Sequence, residues 1–232
     1  MEEHFSVIAS SLLFENIPSE ELPQLLDCLQ ASVRRFEKNQ VIFWAGQQIT
    51  QTALVLSGEV QLWEEDIVGN RSIHNRFLPK DTFGEIYVCD ESTLITASAV
   101  AVKPSEILFI QRHRLLGRTG CAGPYHRQLL ENLLHITTRR ALDLSRKVSF
   151  LSRRTLREKL LAYLSAQARL SQTCLFSIPF SRQELADYLS VDRSALSKEL
   201  SKMKEEGLLD YHLNRFHLFP DTCQCEKKSP KK

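Results

Sequence analysis

No uninterrupted apolar run in this 232-residue chain approaches the roughly 18–20 residues that span a bilayer, so no membrane helix is expected. The opening residues, MEEHFSVIASSLLFENIP, are acidic at the start and have no basic stretch ahead of the apolar one. No secretory signal is therefore expected, and the chain reads as cytoplasmic. An excess of one charge is also missing: 30 Lys and Arg face 28 Asp and Glu, a formal net charge of +2. Any case for a nucleic-acid partner must rest on local arrangement. There is no nucleophile elbow, no P-loop and no G-x-G-x-x-G. No His-x-His with a following glutamate occurs to hold a metal in a cupin-like barrel. These absences argue against an enzyme and against a resident metal. Of the six cysteines, Cys28, Cys89, Cys121 and Cys174 are isolated, and only Cys223 and Cys225 are close together. Reduced thiols are the expectation for a cytosolic chain, and two thiolates are too few for a closed zinc site. With 43% hydrophobic and 25% charged residues, the composition excludes collagen, coiled-coil fibre and wholesale disorder.

What is present changes period along the chain. Phe5, Ile8, Ala9, Leu12 and Leu13 recur at helical spacing and predict one opening helix. Ser19 is the expected cap of a second helix, with Leu22, Leu25, Leu26 and Leu29 inward. From about Val33, short strand-like runs punctuated by Gly46, Gly58, Gly69 and Gly84 suggest an antiparallel β barrel or roll. TALVLSGEVQLW reads as two strands with Ser57-Gly58 at the bend. After Pro124 the next 27 residues contain neither Gly nor Pro. There Leu130, Leu134, Thr137, Ala141, Leu144, Val148 and Leu151 are spaced alternately four and three apart, a sustained heptad seam. It reads either as a helix packed on its own domain or as the seam of a homodimer, and three unbroken heptads favour the second. Ser152 is the expected start of a further helix, with Leu156, Leu160, Leu161 and Leu164 inward.

The last 80 residues hold the most specific signals. Ser181 and Glu184 stand at capping-box spacing before Leu185, Ala186 and Leu189. Ser190, Val191 and Asp192 form a short turn, Asp192 caps the next helix, and Gly207 ends it. Two helices joined this way form a helix-turn-helix. On the second, Ala195, Leu196, Leu200 and Met203 form an apolar face, while Arg193, Ser194, Ser197, Lys198 and Ser201 lie opposite. Small hydroxyl residues let a helix sit deep in the major groove, and long cations reach guanine edges or phosphates. LLDYHLNRFHLF reads as a hairpin broken at Asn214-Arg215, which completes a winged-helix layout. Ser181, Arg182 and Gln183, at a helix N-terminus, are the candidate phosphate contacts. The end, CQCEKKSPKK, reads as a basic disordered tail.

The order of a β roll, a long heptad helix and a winged helix resembles the Crp/Fnr family of bacterial transcription regulators. The residues that carry the resemblance are LSGEV, GQQ, DTFGE, FLSRRTLREKLLAYL and FSRQELADYLSVDRSALSKELSKMKEEGLL. It implies an α+β chain with an N-terminal double-stranded β-helix (jelly-roll) domain like that of cyclic-nucleotide-binding proteins at 1–123. A dimerisation helix at 124–151, a winged helix-turn-helix domain at 152–220 and a basic tail at 221–232 follow. It further implies a homodimer on a palindromic operator in double-stranded DNA, a small effector in the roll, and RNA polymerase as a further partner. The base-reading positions carry onto Arg193, Ser194, Ser197 and Lys198, although many members have a glutamate where this chain has Ser194. The effector pocket carries onto Phe83, Gly84, Glu85, Ile95 and Thr96. Members that bind cyclic AMP have an Arg-Ser pair where Ile95 and Thr96 stand, and an isoleucine cannot pair with a phosphate. Cyclic AMP is therefore not expected, and the effector is left unidentified. Trp44, Trp63, Phe83, Tyr87 and Ile95 suggest an uncharged or aromatic molecule, or none. No cysteine cluster precedes Cys28, so no iron–sulfur cluster is expected. No spacing selects a haem ligand among His74, His113, His126, His135 and Cys89. A regulator that needs no effector, or one answering to haem or to redox change at Cys89 and Cys121, is the alternative.

Overall fold

The computed structural model describes residues 2–65, 71–90, 92–117 and 123–219. The tail at 221–232, Gly69, Cys121, Cys223 and Cys225 lie outside them. The chain divides into two compact units, Met1–Arg140 and Ala141–Lys232. The first holds α1 (Phe5–Ala9), α2 (Leu22–Cys28), β1 (Ser32–Phe36), β2 (Val41–Phe43), β3 (Gln51–Ser57), β4 (Val60–Glu65), β5 (Arg71–Phe77), β6 (Thr82–Phe83), α3 (Glu85–Cys89), β7 (Ser98–Ala101), β8 (Ser105–Gln111) and α4 (Arg112–Leu115). α5 (Pro124–Leu151) runs from this unit into the next.

The opening helix is broken rather than continuous: α1 stops at Ala9, and a separate 3-10 turn holds Leu12–Phe14. The Ser10 and Ser11 side chains donate to the carbonyls of Ser6 and Ile8, at 2.7 Å each, and compete with the helical ladder. α2 begins at Leu22 with Pro23 in its first turn, three residues past the expected Ser19 cap. Two four-stranded antiparallel sheets follow, ordered β1-β8-β3-β6 and β2-β7-β4-β5. The bend at Ser57-Gly58 exists but closes no hairpin, because β3 and β4 belong to different sheets. Gly58 has a φ of 84°, and a Cβ there would lie 2.2 Å from Ser105 Oγ, so the crossing admits no side chain. Leu54, Leu56, Leu108 and Ile110 of β3 and β8 join α1, α2 and the first half of α5 in one core. Phe77, Phe83 and Phe109 lie between the sheets in a second.

The second unit holds α6 (Leu156–Ser171), β9 (Leu175–Ser177), α7 (Arg182–Tyr188), α8 (Arg193–Glu205), β10 (Leu209–His212) and β11 (Arg215–Leu218). Ser152 does not start α6; Thr155 caps it, in a reciprocal pair with Glu158. Leu160 and Leu164 are buried with Leu185, Leu189, Leu196, Leu200, Met203 and Phe216. Phe150, Tyr163, Phe180 and Tyr188 pack as an aromatic cluster on this core. The hairpin turns at Leu213 and Asn214, and β9 joins it in a three-stranded sheet ordered β10-β11-β9.

Candidate nucleic-acid interface and effector pocket

The helix-turn-helix is built by its caps. The Ser181 hydroxyl accepts from the Glu184 amide at 3.3 Å, and the Glu184 carboxylate accepts from the Ser181 amide at 2.7 Å. Asp192 caps α8 by accepting from the amides of Ser194 and Ala195. Leu196, Leu200 and Met203 are fully buried, whereas Ala195 is exposed and does not join them. Its position one residue before Leu196 turns it toward the solvent face. Arg193, Ser194, Ser197 and Lys198 are all exposed, on that same face. No ion pair engages Arg193 or Lys198 among the described residues. The acids of α8 are held instead: Arg157, from α6, lies 2.6 Å from Glu199 and 2.8 Å from Glu206.

Of the candidate phosphate contacts, Ser181 and Gln183 are exposed and Arg182 is half-buried. The Gln183 amide donates to Asp187 at 2.9 Å. The Arg182 guanidinium lies 4.7 Å from the Tyr211 ring centre and 5.0 Å from that of Phe216, over the base of the hairpin. On the hairpin's exposed face, Asp210 and His212 stand opposite His217 and Arg215. Lys204 pairs with Asp210 at 2.6 Å and joins α8 to β10.

In the first unit, Phe83 and Glu85 are buried on either side of Gly84, which has a φ of 81°. Ile95 is also buried, in the same core as Leu54 and Leu108, and Thr96 is exposed. Of the aromatic candidates, Trp44 is exposed while Trp63 and Tyr87 are half-buried. The partner of Glu85 is Arg140 of α5, a residue that the sequence did not single out. Its guanidinium donates to Glu85 Oε1 and, at 2.7 Å, to the Thr82 carbonyl. The other oxygen, Glu85 Oε2, is buried without a hydrogen-bond partner among the described residues. The sequence separation of 55 between Glu85 and Arg140 explains why spacing could not reveal the pair. A single charged side chain of α5 thus grips the turn that carries the FGE motif.

Reduced thiols were expected throughout, but Cys28 in the first unit and Cys174 in the second each take part in a disulfide. Isolation in sequence says nothing about which sulfurs the fold brings together. Cys89 is free and exposed. Of the candidate haem ligands, His126 is buried with its Nε2 2.9 Å from the Leu115 carbonyl, and His113 and His135 are exposed. No helix among the described residues is long and apolar enough to cross a membrane.

A family model described as "Cyclic nucleotide-binding domain" matches residues 33–117, and one described as "Crp-like helix-turn-helix domain" matches residues 158–219. The chain is 28% identical over 202 residues to a cyclic AMP receptor protein of Thermus thermophilus, covering 86% of this chain and 88% of that protein. It is 26% identical over 192 residues to the transcriptional activator protein FnrL of Cereibacter sphaeroides, covering 76% and 71%. Among solved structures, the global regulator CLP of Xanthomonas campestris matches with a TM-score of 0.54 at 21% identity, covering 87% of this chain and 99% of that one. These relatives are transcription regulators rather than enzymes.

Proposed function

The chain belongs to the Crp/Fnr family of transcription regulators, with a DNA-binding helix-turn-helix, and from that premise we propose that it is a cytoplasmic homodimer on a palindromic operator, gated by a small effector other than cyclic AMP. The observation that carries this reading is the charge arrangement of α8. Arg193 and Lys198 stand exposed with Ser194 and Ser197, while Glu199 and Glu206 are drawn off by Arg157. The first four read base edges, with Arg193 suited to guanine N7 and O6. Ser181, Arg182 and Gln183 meet phosphates and set the register. Two copies joined through the seam of α5 place their recognition helices in successive major grooves, about 34 Å apart. The relative named as an activator makes RNA polymerase the further partner to test.

The effector acts by binding one domain arrangement better than the other. Ile95 is committed to the core and offers no charge to a cyclic phosphate. The cation at Glu85 comes from α5 instead, so any ligand that reaches Glu85 or Arg140 acts directly on the helix that carries the dimer seam. The same pair supports a second reading, a regulator that needs no effector because Arg140 fills the role of a ligand.

Selection of bound sites from random duplex DNA, with and without cell metabolites, tests the proposal. The expected result is an inverted-repeat site whose affinity changes when metabolites are added. Equal affinity in crude extract and after extensive dialysis favours the effector-independent reading. Isothermal titration showing micromolar affinity for cyclic AMP would overturn the exclusion of that ligand.

A further inference from the structure

The tip of α8 carries one carboxylate, that of its capping residue Asp192. Asp192 is exposed, and every hydrogen bond that its carboxylate receives from the described residues falls on one oxygen. Oδ1 accepts from the Ser194 amide at 2.7 Å, the Ala195 amide at 3.0 Å and the Ser194 hydroxyl at 2.5 Å. Oδ2 takes no bond from any described residue. The cap therefore orients the carboxylate through Oδ1 and leaves Oδ2 as a free, fixed acceptor. The Ser194 hydroxyl, followed by the Ala195 and Ser194 amides, holds the carboxyl below its usual range, so it is charged at neutral pH.

The hydroxyls along the same face behave alike. Ser194 gives its proton to Asp192, Ser197 gives its to the Arg193 carbonyl at 3.0 Å, and Ser201 gives its to the Ser197 carbonyl at 3.1 Å. Each hydroxyl proton is spent within the protein, and what these oxygens offer outward is acceptor capacity. The donors of the face are Arg193 and Lys198. The tip is thus ordered as acceptor, donor, acceptor across Asp192, Arg193 and Ser194.

A carboxylate against a phosphate is repulsive, and so is one against guanine O6 or thymine O4, which are acceptors. The donors that duplex DNA exposes in the major groove are the amino groups of cytosine N4 and adenine N6. We infer that Asp192 is a specificity-determining residue: its Oδ2 selects a cytosine or adenine amino group beside the base read by Arg193 and rejects the keto bases. This rests on the reading of α8 as the base-reading helix. It supplies a carboxylate at the tip of a helix whose second residue, Ser194, has none.

The test is selection from random duplexes by the purified full-length wild type and by Asp192→Asn, each first checked for folding by circular dichroism and thermal midpoint. Asparagine keeps an oxygen for the cap, where it ranks with aspartate, and replaces the free oxygen by an amide donor. Wild-type sites are expected to share one position restricted to an amino base, with roughly tenfold weaker binding when a keto base stands there. Asp192→Asn is expected to lose that restriction or transfer it to keto bases. Identical site preferences for the two proteins would overturn the inference. So would a gain for Asp192→Asn that is uniform across all sequences with a steeper salt dependence, because that places Asp192 against phosphate. If the wild type selects no site, the reading of α8 fails first, and this inference falls with it.

Discussion

Arg157 decides which charges α8 presents. Between them, Glu199, Glu205 and Glu206 would cancel much of the attraction of Arg193, Lys198 and Lys202 for a polyanion. With Glu199 and Glu206 paired to Arg157, those two carboxylates face α6 rather than solvent alone, and they raise the guanidinium's pKa above its ordinary value. Arg193 is not so engaged, and its loss should be felt in DNA binding rather than in folding. Arg193→Ala is expected to cost about 1–3 kcal/mol of operator affinity and to relax preference at one base pair. Competition between a selected operator and its single-base variants measures both effects. Unchanged selectivity in the variant would mean that Arg193 reads no base. The residues at this tip were legible because their spacing on a helix is fixed by geometry. The role of Arg157 was not, because a lone arginine 42 residues from its partner carries no periodic signal.

The elements of the second unit are tied together by carboxylates held below their usual range. In Glu184 the cause is first the Ser181 amide, in Asp192 the Ser194 hydroxyl, in Glu206 the Arg157 guanidinium and in Asp210 the Lys204 ammonium. A carboxyl whose folded pKa is depressed binds fewer protons folded than unfolded over that interval, so it stabilises the fold above its unfolded pKa. That contribution is lost as pH falls through the folded value. All four are exposed, which keeps each contribution small, but they act in one direction on the caps of α7 and α8 and on the joint between α8 and β10. The thermal midpoint is expected to be flat from about pH 7 to about pH 5 and to fall progressively below about pH 4, where unfolded carboxyls take up protons. Melting curves across that range check it, and a midpoint that rose on acidification would contradict it. The caps of α7 and α8 were readable because Ser-x-x-Glu and an Asp after a short turn have one use before an apolar run. The start of α6 was misread because Ser152 and Thr155 both suit a cap, and only Thr155 has a glutamate three residues on. The β3 to β4 bend was misread because a glycine turn looks the same whether the strands pair or part into two sheets.

α5 carries two apolar stripes one residue out of register, and the sequence could not say which of them faces its own unit. Leu129, Leu133 and Ile136 are buried against the roll in the first unit, and Phe150 is buried in the second. The heptad residues remain outward: Leu134 is 67% exposed, Leu144 63% and Val148 57%. Leu130, Thr137 and Leu151 are half-buried and Ala141 is exposed. Both stripes repeat at helical spacing, so periodicity treats them equally. The packing of the N-terminal helices and the roll takes the first and leaves the second. Three large apolar side chains in a row on one exposed helix face are costly in water. A second copy of the same face covers them in the parallel pairing that heptads favour. The purified chain is accordingly expected to sediment as a dimer, and Leu144→Glu with Val148→Glu to sediment as a monomer with an intact fold. Losing one of two linked half-site contacts removes an avidity gain on the order of 10²–10⁴, so operator affinity should fall about a hundredfold or more. Leu133→Glu supplies the contrast, since a charge in the buried stripe should unfold the first unit rather than separate two folded copies. Sedimentation equilibrium with an operator titration separates these outcomes, and a double variant that stayed dimeric at micromolar concentration would move the dimer contact away from this seam.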